Sequence, residues 1–426
     1  MNEFLIKLEN ALSPYAKQFT PEGTEVKAVV HQWGHAIAYD NDIFASSKGA
    51  NKGEILKLLK ETKCYQSSKQ FKKELRDSIN LNPDEKPKFT FIDLFAGIGG
   101  MRQGFELAGG ACVFSSEFEN KAQETYHENY GEYPFGDITK IANEELVDAN
   151  WVDAIPSHDI LIGGFPCQPF SHAGLKMGIE DTRGTLFDNI AQILNSKKPK
   201  FALLENVRGL ISHDKGHTLK IVLRKLIHMG YRCSIPEEII FSEDAKILKE
   251  AAKSMVLRSR DFGVPQNRQR IYIVLWRKDL DINFKYPAPT GKATKVSDIL
   301  EKTPKSKYTI SDKLWAGHQR RKINNKKNGK GFGYGLVSPE SEYTNTISAR
   351  YYKDGSECLI DQGEGRNPRK ITPKEASRLQ GFPDGFILNK SDVQAYKQFG
   401  NSVSIPVIEA LAIKILEADK GEVKCL

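Results

Sequence analysis

The chain has 426 residues, of which 39% are hydrophobic and 27% charged, so it holds enough apolar material for two or three folded domains and is no disordered tail. Its net charge of +8 points towards an anionic partner. Six scattered cysteines without paired spacing exclude a disulfide scaffold and a Cys/His zinc cluster; with no secretory leader and no run of about 18 apolar residues, a cytoplasmic, membrane-free protein without a bound metal is expected.

Leu5, Leu8, Leu12 and Tyr15 predict an opening amphipathic helix. Further helical patterning, rich in lysine, runs from Lys52 to Leu81 with a break at Ser67-Ser68, and a hydrophilic linker follows at Asn82–Pro87. Residues 1–87 therefore read as a mainly helical extension. Basic helices of this kind serve either as a DNA contact or as a solvated packing module, and the sequence leaves both open.

At Phe89 the texture changes. Phe89–Phe95 reads as a strand, followed by the turn Ala96-Gly97-Ile98-Gly99-Gly100 and a helix from Met101 to Ala108. A glycine-rich strand-to-helix turn lets a ligand approach the backbone at a helix N-terminus. The next strand, Ala111–Ser116, ends at Glu117, 20 residues beyond Gly97, where a carboxylate can take both hydroxyls of a ribose. Phe118 can lie against an adenine face, and Asp137, in Gly136-Asp137-Ile138, can accept from an adenine amino group. Three successive strand ends thus carry a glycine turn, an acid and an acid, which together read as a nucleoside site.

The fourth strand, Asp159–Gly163, is short and apolar and opens into Gly164-Phe165-Pro166-Cys167-Gln168-Pro169-Phe170-Ser171. Pro166 and Pro169 each fix a φ angle, so Cys167 is expected in a stiff loop at a strand's carboxyl end, where ligands bind in open α/β sheets. Phe201–Leu204 is another buried strand and ends in Glu205-Asn206-Val207, a candidate acid beside the cysteine strand. Arg268 and Arg270 share one face of an extended segment before the strand Ile271–Leu275 and can hold phosphate or carbonyl oxygens. This β-then-α alternation, about 190 residues long, predicts a doubly wound parallel sheet. Residues 243–257 read as an inserted short helix.

Beyond Lys278 the alternation stops. Lys313–Pro339 contains seven Lys or Arg, no acid, and the aromatics Trp315, Phe332 and Tyr334, which fits a nucleic-acid surface. Arg350, Tyr351 and Lys353 are suited to reading base edges and phosphates. The chain closes with Gln398-Phe-Gly-Asn401-Ser-Val403 and an amphipathic helix, Ile405–Ala418, that must return to the core.

From Phe89 to Ile415 the chain resembles the DNA (cytosine-5) methyltransferases of bacterial restriction-modification systems. The resemblance rests on Phe91-Ile-Asp-Leu-Phe-Ala-Gly-Ile-Gly-Gly100, Phe165-Pro-Cys-Gln168, Glu205-Asn-Val207, Gln266-x-Arg-x-Arg270 and Gly400-Asn-Ser-Val403, in that family's order. It implies a Rossmann-like, doubly wound catalytic domain that uses S-adenosylmethionine, with a smaller, irregular target-recognition domain. Domains are then expected at 1–87, 88–282 (catalytic), 283–391 (target recognition and hinge) and 392–426 (returning to the catalytic domain).

By the same resemblance Cys167 attacks C6 of a flipped-out cytosine, Glu205 engages N3, and Arg268 and Arg270 hold the base and its backbone. Phe95, Gly97, Gly99, Glu117, Phe118, Asp137, Pro166 and Asn401 would line the cofactor site. Gln168, Ser171, Arg183, Arg350, Tyr351 and Lys353 would contact DNA. The implied partners are double-stranded DNA and a cognate restriction endonuclease, and a monomer is expected. Two other readings stand beside it: a transfer-RNA cytosine-5 methyltransferase, whose Cys-Phe-Thr signature is missing at Cys358-Leu359, and a DNA-binding autoregulator acting through residues 1–87.

Overall fold

The computed structural model describes residues 3–45, 49–143, 151–165 and 186–421. It divides into two compact units: one holds Met1–Val256, Arg270–Tyr286 and Leu411–Leu426, the other Leu257–Gln269 and Pro287–Ala410. The boundary expected at residue 87 does not fall between these units, and the second unit runs past the expected limit at 391.

The first unit opens with four helices: α1 (Glu3–Ala16), α2 (Val26–Tyr39), α3 (Lys52–Glu61) and α4 (Ser68–Asp77). Ser67, in the expected break, caps α4 by accepting the Gln70 N–H at 3.2 Å. The leucine spacing of α1 matches its buried face, Leu5, Leu8 and Leu12. Ala28, Val29, Trp33 and Ala36 of α2 belong to the same apolar cluster as Ile92, Leu94, Val113 and Phe135. The helical extension and the sheet domain therefore share one core.

Strands β1 (Phe89–Leu94), β2 (Gly110–Ser116), β3 (Ile160–Gly164), β4 (Phe201–Val207), β5 (Tyr231–Cys233), β6 (Val256–Arg258) and β7 (Gln269–Arg277) form the main sheet, in the order β2-β1-β3-β4-β7-β5 with β6 on β7. Pairing is parallel from β2 to β4, as the alternation predicts. At β7 it turns antiparallel to both β4 and β5. A run of apolar residues marks a buried strand but carries no direction, so the reversal was not visible in the sequence. The helices α5 (Gly100–Leu107) and α6 (Asn120–Tyr130) follow β1 and β2.

The inserted segment holds the short helix Ala245–Ala251, capped by Asp244. In the second unit a three-stranded sheet, Leu336–Val337, Leu359–Ile360 and Arg369–Lys370, accompanies the helix Asp312–Lys327. The stretch Asp392–Lys420, apolar and long enough to cross a membrane by composition alone, runs through the helices Asp392–Asn401 and Ile405–Gly421; Ile405, Val407, Ile408, Leu411, Ala412 and Ile415 are buried, as in a core helix.

Candidate active site and cofactor cradle

The carboxyl ends of β3 and β4 lie side by side, with Gly164 the register partner of Glu205. Glu205 Oε1 stands 3.0 Å from Nε of Arg270, which sits at the start of the neighbouring antiparallel strand. Both side chains are nearly buried, so this ion pair is shielded and holds the carboxylate in a defined orientation. Asn206 donates to the Phe165 carbonyl at 2.9 Å, and the rings of Phe165 and Phe187 lie 5.7 Å apart. These contacts fix both flanks of the segment 166–185. Pro166, Cys167, Gln168, Ser171 and Arg183 themselves lie outside the described residues.

Arg268 and Arg270 have different partners. Arg268 is 2% exposed and donates to the carbonyls of Ile347, Gly400 and Ser402, the last at 2.5 Å. It thereby holds the backbone on either side of Asn401, which is exposed at the end of its helix in the second unit. Gln266 is also buried and accepts the Ile347 N–H at 3.1 Å. In this structure Arg268 is a tie within the second unit, where an open edge offered to phosphate or base oxygens was expected. Tyr351 likewise departs from expectation: its ring is buried, and its hydroxyl donates to the Cys358 carbonyl at 2.6 Å and accepts the Ile371 N–H at 2.9 Å. It is a core residue and not a DNA-reading one, because both faces of its polar group are already matched. Arg350 and Lys353 are exposed.

At the ends of β1 and β2 the backbone is unusual. Phe95 adopts φ 56° and Gly97 φ 57°, and a side chain added at Gly97 would meet no atom within 4 Å. A left-handed Phe is strained backbone, and such strain gathers at binding sites. Glu117 Oε2 accepts the Gly97 N–H at 2.7 Å, while Oε1 accepts that of Glu119 at 2.7 Å. Burial raises the Glu117 carboxyl above its ordinary range, against the pull of those two amides. Phe118 beside it is 75% exposed, an apolar ring with one face open. Asp137 accepts the Thr139 N–H at 2.9 Å. Within β1, burial pushes the Asp93 carboxyl up to about 8, and its Oδ2 has no hydrogen-bond partner.

Residues 89–417 match the family described as C-5 cytosine-specific DNA methylase. The chain belongs to this family. It is 54% identical over 337 residues to the type II methyltransferase M.SsoII of Shigella sonnei, covering 78% of this chain and 81% of that one. To the type II methyltransferase M.NlaX of Neisseria lactamica it is 57% identical over 327 residues, covering 76% and 95%. Among solved structures, the S. pombe Dnmt2 methyltransferase superposes with a TM-score of 0.58 at 21% identity, over 78% of this chain and 99% of that one, a likeness of fold.

A C-5 cytosine-specific DNA methylase uses S-adenosylmethionine, and the residues at the ends of β1 and β2 fit it. Gly97 leaves room for a ligand against the backbone, Glu117 offers a carboxylate to two hydroxyls, and the exposed Phe118 ring can cover an apolar purine face. Sequence reasoning missed the elements that support this cradle. The buried ion cluster of Arg102 with Glu106 (2.7 Å) and Glu132 (2.9 Å) underlies α5 and α6, yet one arginine in a helix gives no sign of burial until its acids are placed in space.

Proposed function

We propose that the protein is the modification enzyme of a type II restriction-modification system, methylating C5 of one cytosine within a short duplex DNA site. The observation that carries the catalytic assignment is the register of Glu205 with Gly164, three residues before Cys167. The acid stands on β4 beside the carboxyl end of the parallel strand β3, after which the sequence runs on to the nucleophile.

In this reading the Cys167 thiolate adds to C6 of a cytosine turned out of the duplex, since C6 cannot be reached within the stack. Glu205, in its protonated form, gives its proton to N3 as the Sγ–C6 bond forms and becomes the carboxylate that pairs with Arg270, so the electron pair released onto the ring is available at C5. Arg270 keeps the Glu205 carboxyl aimed at N3 by the ion pair described above. S-adenosylmethionine, when bound, supplies an electrophilic methyl group. Solvent water then takes the C5 proton, the C5=C6 double bond re-forms as the ring expels the Cys167 thiolate, and the N3 proton returns to the Glu205 carboxylate. Phe95, Gly97, Gly99, Glu117, Phe118, Asp137, Pro166 and Asn401 are assigned to the cofactor, and Gln168, Ser171, Arg183, Arg350 and Lys353 to DNA. The enzyme acts as a cytoplasmic monomer on DNA that a cognate endonuclease would otherwise cut.

The test is bisulfite sequencing of unmethylated bacterial DNA after incubation with protein and cofactor. Protected cytosines should recur in one short motif, and Cys167→Ala should abolish protection while cofactor binding is kept. Turnover by Cys167→Ala would overturn the mechanism.

A further inference from the structure

The residues that precede the family match, up to Leu81, converge on one stretch of the catalytic unit. That stretch, 129–136, connects α6 to Asp137. On its inner side it continues the sheet: Phe135 N–H donates to the Ser115 carbonyl at 2.8 Å, Glu117 N–H to the Phe135 carbonyl at 2.9 Å, and the Ser116 hydroxyl to the Gly136 carbonyl at 2.8 Å. The same few bonds therefore place the backbone of Glu117 and lead directly into Asp137.

On its outer side the Arg102 guanidinium holds Glu132 at 2.9 Å, and a further set of handholds comes from the helical extension. Leu81 N–H donates to the Asn129 carbonyl at 2.8 Å. His35 Nδ1 lies 3.0 Å from Glu132 Oε1. Tyr133 N–H donates to His31 Nδ1 at 3.1 Å, which leaves the ring proton on Nε2, 3.0 Å from Glu9 Oε1. Gly136 N–H reaches Thr24 Oγ1 at 3.4 Å. A Cβ at Gly136 would stand 2.3 Å from the Gly23 carbonyl oxygen, so the two backbones meet as closely as a glycine allows.

We propose that the N-terminal extension is a clamp on the cofactor loop, with His31 and Thr24 as positioning residues that set the affinity for the adenosyl ligand through Asp137 and Glu117. This rests on the assignment of those two acids to the cofactor. The clamp acts by removing freedom from the loop that carries the two acids, and preorganisation of this kind is read out as affinity.

Titration of the full-length protein with S-adenosylhomocysteine tests it by calorimetry, at a temperature well below unfolding. His31→Ala should weaken binding about fivefold to tenfold and Thr24→Val about threefold, as one lost hydrogen bond implies. His31→Asn, whose amide oxygen can stand where Nδ1 stood, should restore most of the loss. DNA affinity should be unchanged in all three. Asp137→Ala separates the clamp from the cofactor assignment beneath it. Should Asp137→Ala weaken binding while His31→Ala and Thr24→Val bind like the wild type, the clamp is overturned and the cofactor assignment survives. If Asp137→Ala itself has no effect, the assignment fails and takes the clamp with it.

Discussion

Two groups of basic side chains in this molecule are used in opposite ways. Around α5 and α6, Arg102 is 1% exposed and its guanidinium is shared among Glu106, Glu132 and the Tyr126 hydroxyl, the last at 2.9 Å. On the helix Asp312–Lys327 there are six Lys or Arg, and His318 is the one buried residue. The first arrangement trades solvation for position: a charge sealed among its partners is worth little net stability but is costly to break. In the second, Arg321 is tied to Asp354 at 3.0 Å. Lys313, Arg320, Lys326 and Lys327 are exposed and keep their charges hydrated and exchangeable, the state in which cations can displace counterions from a phosphate backbone. Composition counts both groups alike in the net charge of +8, although only one is available to a polyanion.

This contrast can be broken at several points. Arg102→Met would leave the carboxylates of Glu106 and Glu132 buried without their counter-charge, and should cost about 3–5 kcal/mol in urea denaturation. A midpoint equal to wild type would mean that the cluster is solvated after all. A smaller effect, conditional on pH, is expected at Asp93. Its carboxyl is held up at about 8 in the folded protein, against an ordinary value of 3.8. Between those two values the folded state keeps a proton that the unfolded chain has released, so this residue makes stability fall as pH rises from about 4 to about 8. Asp93→Asn should flatten that fall in a series of Tm measurements.

His35 works against it on the acid side. Burial holds its pKa down at about 4, so the stability it contributes is complete above about 6.5 and is lost as pH drops towards 4. The smallest stability effect belongs to the exposed helix. Arg320→Ala, Lys326→Ala and Lys327→Ala combined should change stability by no more than about 0.5 kcal/mol. The same triple variant should weaken DNA binding and reduce the slope of log affinity against log salt by about 0.9 for each phosphate it no longer neutralises. An unchanged slope would place the DNA on another face of that unit.

Much of the catalytic unit was legible because strand ends in an open α/β sheet are punctuated. Gly97, Glu117 and Glu205 each stand where an apolar run stops; the structure finds Gly97 and Glu117 just beyond the ends of their strands and Glu205 near the end of β4, which continues to Val207. Periodicity failed where a helix has no solvent face. In α2 ten residues are buried, among them His31, Gln32 and His35, so no amphipathic stripe marks it. Arg268 and Tyr351 were misread for a related reason. Side chains rich in donors and acceptors look like ligand contacts in a sequence, and only the fold shows that backbone carbonyls have already taken them.

Gln32 has one further consequence. Strand β2 is the last named strand on its side of the sheet, continued at its carboxyl end by the bridge from Ser116 to Phe135, and an end strand offers its remaining unpaired carbonyls to any other chain. Here the Gln32 side chain donates to the Val113 carbonyl at 3.1 Å and to that of Asp42 at 3.0 Å, and accepts the Phe44 N–H at 2.7 Å. One amide from a helix thus occupies a place that a foreign strand could fill. A chain shortened to begin at residue 88 would keep every family motif yet expose that margin together with the apolar surface beneath α2. Such a protein should self-associate in solution, so the helical extension also guards solubility.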